Sequence, residues 1–503
     1  MSIGTQWCVS QKQPRGKWFV TAALVLVFLV LSGGQRANAL PAFARKYGLR
    51  CSACHESWPM LNYFGQKFKD NGYQLMNDRD APIWQNPGYW PVTFRITPIW
   101  HRVSTGKNTE DVYTGGAISG TTQTRITSSG FDLSGLDFHT GGTLEKNISF
   151  YVLPSSDSTA TFHFETVMGR LDNLFGSPWL NVKFGRFELD NLLSEKRILT
   201  LTGNGGIYQL YHFIPIGDGN IFGQIGDNQL GIELMGHSAN DRTRYSASLL
   251  SSSDGNVNLI MGANSYTGFF TASQAFDTGK LGVQRIGAYA MIGDAATYYP
   301  TNGAVPIPGA GVANKSFHRE GFVGQFYFGQ HVDLQVVSQH GWDNAWFGQG
   351  YGNPINTNGN GGATCTGAAG TTGCPPNNTP GSFLNPGSQA PTWNGILFEP
   401  HYVYSPQLIF IGRYETIRMS RQANGPGYEN LNPTPPNGYA TQMASNLGNT
   451  STFTIGYRYN PFMTSRAGFA WHNEYNWMHV DGAAPDGTAL NTSELLIGFD
   501  FDF

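Results

Sequence analysis

The last nine residues of the chain alternate between two kinds of side chain. In residues 495–503, Leu, Ile and Phe occupy the odd positions, and the even positions are mostly polar or small. A period of two residues is typical of a β-strand that buries one face and exposes the other. The chain therefore ends on a predicted amphipathic strand.

The same alternation recurs upstream in runs that are separated by polar connections. Such runs lie at 148–152, 162–168, 180–184, 453–459 and 467–477. Short breaks, such as 459–462, predict tight β-hairpin turns. Long connections rich in Gly, Asn, Thr and Pro are predicted at 104–130, 202–228, 296–316, 344–392 and 421–450. At about 25 residues per strand with its connection, residues 92–503 predict about 16 strands.

Composition narrows the kind of all-β fold. Charged residues make up 13% of the chain and aromatic residues 14%, yet the mean hydropathy is −0.28. An antiparallel transmembrane β-barrel explains both values, because lipid-facing and lumen-facing residues alternate along each strand. The terminal Phe503 also resembles the end of bacterial outer-membrane barrels, whereas a soluble β-sandwich rarely stops at such a strand. The net charge of −3 gives no sign of a nucleic-acid partner.

The N-terminus has the organisation of a secretory signal peptide. Three basic residues precede an apolar run at 18–31, and small residues at 37–39 offer a cleavage site. A retained membrane anchor is the alternative, but the apolar run is shorter than the roughly 20 residues of a spanning helix. We expect residues 1–39 to be removed, and Cys8 with them.

Cys51-Ser52-Ala53-Cys54-His55 is a C-x-x-C-H motif, which is typical of covalent haem attachment. Cys51 and Cys54 would form the two thioethers, and His55 would be the proximal ligand of the iron. A redox-active dithiol would need a βαβ context, and a zinc site would need a second pair of ligands nearby. The motif therefore predicts one covalent haem c.

Residues 40–91 are predicted to form a small α-helical haem segment and its connector. Apolar spacing predicts a helix over 56–72 with Gly72 as its C-terminal cap, and it would place Phe64 and Phe68 against the porphyrin. About fifty residues are too few to bury a haem alone. We expect the segment to dock in or under the barrel lumen, so that the barrel walls complete the pocket.

The second axial ligand of the iron is less constrained by the sequence. Met76 is the first candidate, because the predicted helix separates it from His55. Met60 is the nearer thioether, and either methionine would raise the reduction potential relative to two histidines. Three histidines could also enter from barrel strands: His101, His139 and His163.

Cys365 and Cys374 are the two cysteines that remain after the motif and the signal peptide are set aside. Both lie in a Gly-rich connection of a chain predicted to be exported. In an oxidising compartment, we expect them to form a disulfide that ties this loop.

The haem segment resembles one protein family. Residues 43–55, Trp58-Pro59, Phe64-Gly65 and 71–73 are similar to the fused monohaem cytochrome c–porins, which include outer-membrane iron-oxidising cytochromes. The similarity covers residues 41–75, and that of the barrel is generic. The resemblance implies one N-terminal c-type haem on a barrel of about sixteen strands, with electrons passing across the outer membrane.

The leading functional hypothesis is an outer-membrane electron conduit. An extracellular donor, with Fe(II) as the candidate that the resemblance suggests, would reduce the haem. A periplasmic cytochrome or other electron carrier would then remove the electron. A conduit needs no catalytic acid, base or substrate pocket, and none is evident. Fe(II) oxidation is the activity that the resemblance suggests, although it does not follow automatically and the predicted extracellular loops show no evident iron-binding carboxylate cluster. The alternatives are a solute porin with a haem-bearing plug or sensor, and a haem enzyme such as a peroxidase.

Overall fold

The computed structural model describes most of the chain after the predicted signal peptide. The described residues are 41–57, 59–75, 80–85, 91–114, 117–156, 161–194, 198–202, 205–213, 225–226, 228–251, 266–296, 314–344, 390–421, 449–463, 467–481 and 489–503. The signal peptide, Met76 and the predicted Cys365–Cys374 disulfide lie outside these ranges.

The described chain is dominated by antiparallel strands. In chain order they are β1 (His55–Ser57), β2 (Met60–Leu61), β3 (Val92–Thr105), β4 (Asn108–Thr114), β5 (Ala117–Thr124), β6 (Thr127–Glu145), β7 (Ile148–Ser156), β8 (Phe162–Leu171), β9 (Asn181–Phe187), β10 (Gln229–His237), β11 (Thr243–Ser251), β12 (Tyr266–Asp277), β13 (Val283–Ala296), β14 (Asn314–Phe328), β15 (Val332–Asp343), β16 (Thr392–Ser405), β17 (Leu408–Arg421), β18 (Thr450–Met463), β19 (Gly468–Val480) and β20 (Leu490–Asp502).

Sixteen of the described strands close into one barrel. Strands β6 to β20 pair in chain order, and β3 closes the ring between β20 and β6. Strands β4 and β5 form a separate hairpin, and β1 pairs only with β2. Closure leaves no free sheet edge, so that every barrel strand has two hydrogen-bonded neighbours. The predicted all-β antiparallel barrel of about sixteen strands is confirmed.

The period of two separates the lumen from the exterior. Along β20 the even positions from 494 to 502 are buried, and the odd positions between them are partly or fully exposed. On the outer surface, the register aligns Tyr414, Phe453 and Trp477 across three strands, and these side chains are 43%, 44% and 38% exposed. Such an exposed apolar surface on a closed barrel is the surface that faces lipid.

The described part of the chain also contains four short α-helices. They are α1 (Pro41–Tyr47), α2 (Cys51–Cys54), α3 (Tyr63–Asp70) and α4 (Gly206–His212). Within the described ranges, no helix has the length and apolar character needed to cross a membrane.

The N-terminal segment, residues 41–75, lies in the end of the barrel that carries the short turns. The Ala42 amide donates to Thr93 Oγ1 (3.1 Å) at the start of β3. The Asn460 side chain donates to Ser57 Oγ (2.8 Å) near the end of β18. Tyr63 donates to the Asn240 carbonyl in the β10–β11 turn (2.9 Å). The segment is thus attached around the mouth of the lumen, as expected from its small size.

A second piece of chain enters the lumen from the β9–β10 connection. Residues 198–202, named here the strap, pack Leu199 against Ile409 and Ile411 of β17. Further along, Leu210 of α4 lies in the same buried cluster as Trp393 and Leu397 of β16. Both contacts are with lumen-facing residues, so this connection fills space inside the barrel.

Several local predictions are wrong for identifiable reasons. The predicted helix over 56–72 begins only at Tyr63, because Pro59 lies in a turn and Asn62 caps the helix instead of joining it. The predicted turn at 459–462 is an irregularity within β18, which continues to Met463. The predicted loop 104–130 contains β4, β5 and the start of β6. Local composition does not predict these three features, because each depends on contacts with residues that are distant in sequence.

Gly72 does end helix α3 as predicted. Its φ of +70° is left-handed, a conformation that glycine adopts without strain. The Tyr73 amide donates to the Phe68 carbonyl (2.9 Å), and the Gly72 amide donates to the Lys69 carbonyl (3.0 Å). This pair of bonds is a Schellman motif, which satisfies the last carbonyls of the helix.

Candidate haem site

The C-x-x-C-H motif forms a single helical turn that is held by the helix after it. Helix α2 spans Cys51–Cys54, and the Cys54 carbonyl accepts from the Asn62 amide (2.9 Å). The Asn62 side chain donates to the carbonyls of Ser52 (3.3 Å) and Ala53 (3.1 Å), and accepts from the Gly65 amide (2.9 Å). One asparagine therefore caps α3 and fixes the attachment turn at the same time.

His55 follows the turn and is 4% exposed. Its Nδ1 lies 3.2 Å from the Pro59 carbonyl oxygen, which can only accept, so that Nδ1 carries the proton and donates. In the neutral ring, Nε2 is then the unprotonated nitrogen, which is the form in which an imidazole binds a metal. A backbone carbonyl that orients the imidazole in this way is the usual second partner of a metal-ligating histidine.

Cys54 and His55 line a cavity of about 390 Å³ between the N-terminal segment and the barrel wall. The segment also contributes Phe43, Tyr47 and Phe68. The opposite walls come from barrel strands and from the strap, and the cavity-lining residues there include Leu153, Met168, Ile198, Leu201 and Arg458. This volume lies within the roughly 300–1,000 Å³ of cofactor pockets. The barrel therefore completes the pocket.

Phe68 lines this cavity, whereas Phe64 does not. Phe68 is 7% exposed, but Phe64 is 39% exposed and lines a neighbouring cavity with Glu56 and Tyr327. The expectation that both rings face the porphyrin is therefore wrong for Phe64. Phe64 lies in the first turn of α3, one turn before Phe68, and there it contacts the neighbouring cavity instead.

Aromatic rings connect the segment to the barrel wall across this cavity. Phe43 stacks on Tyr73 with a centroid distance of 4.9 Å, and Tyr73 stacks on Tyr151 of β7 at 5.9 Å. Phe68 meets Phe43 edge to face at 5.4 Å. Stacked and edge-to-face pairs at these distances are favourable geometries for aromatic rings. The cavity thus has a rigid, largely aromatic wall.

Cationic side chains occupy the polar side of the cavity. Lys69, Arg95 and Arg170 all line it, and each is paired with an aspartate. Arg170 also donates to the carbonyls of Lys69 and Asp70 (2.8 Å each) at the end of α3. Such groups suit a cofactor that carries carboxylates as well as an apolar ring.

The two motif cysteines form no disulfide in the described structure. Burial raises the pKa of the Cys54 thiol to about 11, and it raises the pKa of Cys51 further. Redox-active dithiols have lowered thiol pKa values instead. The environment of these thiols is therefore unlike that of a thioredoxin-type pair.

The candidates for the second axial position are well separated in the structure. Met60 is buried in a different cluster, where its sulfur accepts from the Gln335 side chain (3.4 Å). His101 pairs with Glu494 (3.2 Å), and His163 is exposed; neither lines the cavity. His139 does line it. Met76 lies outside the described residues.

The strap is the part of the site that the sequence did not reveal. The Glu474 carboxylate accepts from the amides of Leu201 (2.7 Å) and Thr202 (2.9 Å), and Arg413 donates to Thr200 Oγ1 (2.7 Å). Residues 202–228 were predicted as an external loop from their polarity and length. Apolar residues on either side of position 202, such as Leu199 and Leu210, are the sequence signal that could have indicated a buried segment here.

No protein-family model matches this chain, and no curated protein matches it in sequence. Similar solved structures include the outer-membrane channel DcaP of Acinetobacter baumannii, with 11% identity and a TM-score of 0.43 over 82% of this chain and 97% of that chain. The anion-selective porin of Comamonas acidovorans has 10% identity and a TM-score of 0.42 over 82% and 99%. OprB of Pseudomonas putida has 11% identity and a TM-score of 0.42 over 82% and 94%.

These identities and TM-scores are too low for us to transfer a function. The assignment of the barrel rests on its own strands: sixteen antiparallel strands closed into a ring, with a buried lumen face and an apolar outer face. On that evidence, the chain is a porin-like β-barrel of the bacterial outer membrane.

Proposed function

We propose that this protein is an outer-membrane electron conduit that carries one covalent haem c. The observation that carries the proposal is the position of Cys54 and His55 on the wall of a cavity inside the barrel lumen. Cys51 and Cys54 would hold the porphyrin through thioethers, and His55 would bind the iron. When bound, the haem supplies one-electron chemistry, which none of the side chains around the cavity provides by itself.

The residues around the cavity fit such a group. The proton on His55 Nδ1 is directed to the Pro59 carbonyl, so Nε2 is the unprotonated nitrogen, as a ligand of iron must be. Phe43 and Phe68 supply apolar surface, and Lys69 and Arg95 can face the propionate carboxylates. These groups would orient the cofactor and keep bulk water from it.

The filled lumen favours a conduit over a solute porin. The N-terminal segment occupies the short-turn mouth, and the strap lies inside the barrel against strands β17 to β20, with Leu199 fully buried. A solute porin needs a continuous water-filled path through its lumen. Electron transfer needs only a cofactor that a donor on one side and an acceptor on the other can both reach. The short turns would face the periplasm and a soluble electron carrier there, and the long connections would face the extracellular donor.

The test is electron transfer across a sealed membrane. The purified, haem-loaded protein is reconstituted in liposomes that enclose a membrane-impermeant c-type cytochrome in its oxidised form. External Fe(II), or ascorbate with a mediator that cannot cross, is then added. We expect the enclosed cytochrome to be reduced only with the wild-type protein. The Cys51→Ala/Cys54→Ala variant provides the control, because its barrel lacks both thioether positions.

The alternatives give different results in the same preparation. Large stepwise ion conductance in planar bilayers, with no reduction of the enclosed cytochrome, would support the solute porin. Binding of CO to the reduced protein would reveal an open iron position and favour a haem enzyme. If a fully haem-loaded protein reduces no enclosed acceptor with any external donor, the conduit proposal is overturned.

A further inference from the structure

His139 of β6 lies in the wall of the cavity that His55 also lines. Its register partner on β3 is Thr93, and its ring is held from the other side by Tyr151 of β7. The distance from His139 Nδ1 to the Tyr151 hydroxyl oxygen is 2.5 Å. Two neighbouring strands therefore fix the position and the rotation of this imidazole.

The second ring nitrogen has no hydrogen-bond partner among the described residues. His139 Nε2 is buried, and Asp137 Oδ2 lies 3.9 Å from it. That distance is too long for a hydrogen bond. Asp137 is also engaged elsewhere: Oδ2 accepts from Arg95 (3.2 Å) and Oδ1 accepts from Ser155 (2.5 Å). A buried polar atom left in this state usually indicates an absent partner.

We infer that His139 Nε2 is the second axial ligand of the haem iron. The inference rests on the proposed function and adds the chemistry of its iron. His139 Nδ1 then carries the proton and donates to Tyr151, which makes Tyr151 the orienting partner, as Pro59 is for His55. The iron would join the N-terminal segment to strand β6 of the barrel through two histidines.

Among the described residues that line the cavity, Met168 offers the one thioether. It is 9% exposed and belongs to the buried apolar cluster with Tyr73 and Phe187. A thioether in such a cluster is already satisfied by packing, whereas an imidazole nitrogen is not. The unpaired nitrogen therefore favours His139.

Two histidine ligands have consequences that can be measured. Bis-histidine haem is six-coordinate, and its reduction potential is lower than that of a haem with one methionine ligand. Both axial positions are filled, so the iron of the wild-type protein would not bind CO readily. A pass-through electron carrier needs no open position.

The test compares spectra of purified holoproteins. In His139→Ala we expect the low-spin signal in electron paramagnetic resonance to be replaced by a high-spin signal, and CO to bind the reduced protein. Added imidazole should restore the low-spin spectrum, which a merely misfolded variant would not do. His163→Ala provides the matched control, because its histidine lies on β8 outside the cavity, and its spectrum should remain that of the wild type.

Two methionine variants complete the comparison. Met168→Leu and Met76→Leu should leave the low-spin spectrum unchanged. If either abolishes it while His139→Ala does not, the second ligand is that methionine and the inference is overturned. The inference also fails if His139→Ala retains a wild-type spectrum.

The failure of this inference can be told apart from failure of the proposed function. A denaturing gel stained for haem reports whether the cofactor is covalently attached, and attachment does not depend on the second ligand. A wild-type chain without attached haem would overturn the proposed function. Attached haem with an unchanged spectrum in His139→Ala would overturn only the assignment of His139.

Discussion

Gly65 is the residue at which helix α3 comes closest to the haem-attachment turn. A Cβ atom built at this position would lie 2.0 Å from the Cys54 carbonyl oxygen and 2.8 Å from its carbonyl carbon. Those atoms belong to the backbone of α2, so they cannot move aside as a flexible side chain would. Gly65 is therefore required by close approach and not by an unusual backbone angle.

We predict that Gly65→Ala displaces the attachment turn from α3. The cost should exceed about 3 kcal/mol, the upper end of ordinary overpacking, because the clash is with main-chain atoms. The measurement is the amount of covalent haem per purified barrel. Gly130→Ala on β6 is the control, since nothing lies within 4 Å of a Cβ there. Normal haem content in Gly65→Ala would contradict this explanation.

Single residues also show which parts of the site can be predicted from sequence and which cannot. The motif Cys51 to His55 predicts a haem from its spacing alone, because that spacing is specific. His139 cannot be separated from His101 and His163 by sequence, since all three are single histidines on predicted strands. Only the cavity, the Tyr151 contact and the unpaired Nε2 distinguish it.

Helix α3 is the element that joins the site to the barrel, and it is anchored at both ends. Asn62 caps its first turn, and Arg170 of β8 donates to the Lys69 and Asp70 carbonyls at its last turn. A cation at this end also interacts favourably with the helix dipole. Arg170 is 1% exposed and pairs with Asp172 at 2.8 Å, so its charge is fully committed.

We predict that Arg170→Ala releases the N-terminal segment from the barrel wall. The change removes the arginine that pairs with the buried Asp172, and it removes one hydrogen-bond donor from each of the Lys69 and Asp70 carbonyls. Loss of one partner of a buried ion pair typically costs about 3–5 kcal/mol. Hydrogen exchange of residues 41–75 in the folded barrel should rise strongly, and so should their cleavage by added protease.

A matched arginine tests whether loss of any ion pair has the same effect. Arg418 of β17 pairs with Asp481, but the two side chains are 50% and 36% exposed. Exposed pairs contribute about 0–1 kcal/mol, so Arg418→Ala should leave the segment protected. Equal exchange in the two variants would refute the anchoring role of Arg170.

Strands can be predicted from the sequence where the alternation of apolar and polar residues alone determines them. The alternation in 495–502 and in 453–459 lies on strands β20 and β18. The flanking strands end and begin near the predicted bounds of the connections at 344–392 and 421–450, whose interiors lie outside the described residues. The start of α3 cannot be predicted from apolar spacing, because Asn62 lies before the helix, where it caps the first turn and binds the carbonyls of α2. The irregularity at Asn460 likewise serves a contact with Ser57, far away in sequence.

At the scale of the whole molecule, the lumen is occupied from two directions. The N-terminal segment lies in one mouth, and the strap with α4 lies across the interior, where Glu474 accepts from two strap amides. Glu474 is 2% exposed and belongs to β19, so the strap is attached to the wall opposite its own strands. The wild-type barrel should therefore conduct ions poorly.

We predict that Glu474→Ala loosens the strap and opens the lumen. Two buried strap amides lose their acceptor, and each such unsatisfied group costs about 1–3 kcal/mol. Single-channel recordings in planar bilayers should show a conductance several-fold above that of the wild type. Glu320→Ala removes an exposed carboxylate of β14 in the same barrel and should change nothing. Equal conductance in the wild type and Glu474→Ala would contradict a plugging strap.

The sequence predicted the barrel but not its filling. Strand alternation, Phe503 and the low charge can be read directly from the sequence, and together they predict the barrel wall. What fills the lumen depends on pairings such as Leu201 with Glu474, which are 273 residues apart. No periodicity records such a pairing, so the sequence predicts only a long connection at 202–228 and nothing that fills the lumen.

The enclosed cavity also has a consequence for biogenesis. Its walls come from residues 41–75, from the first barrel strands and, through Arg458, from β18, near the end of the chain. The barrel ring closes only when β20 pairs with β3, and the Phe503 and Phe94 backbones bond to each other at that seam. An enzyme that attaches haem could not reach into the closed ring. On the proposed function, we therefore expect the thioethers to form on a soluble periplasmic intermediate, so that maturation of the cofactor precedes membrane insertion.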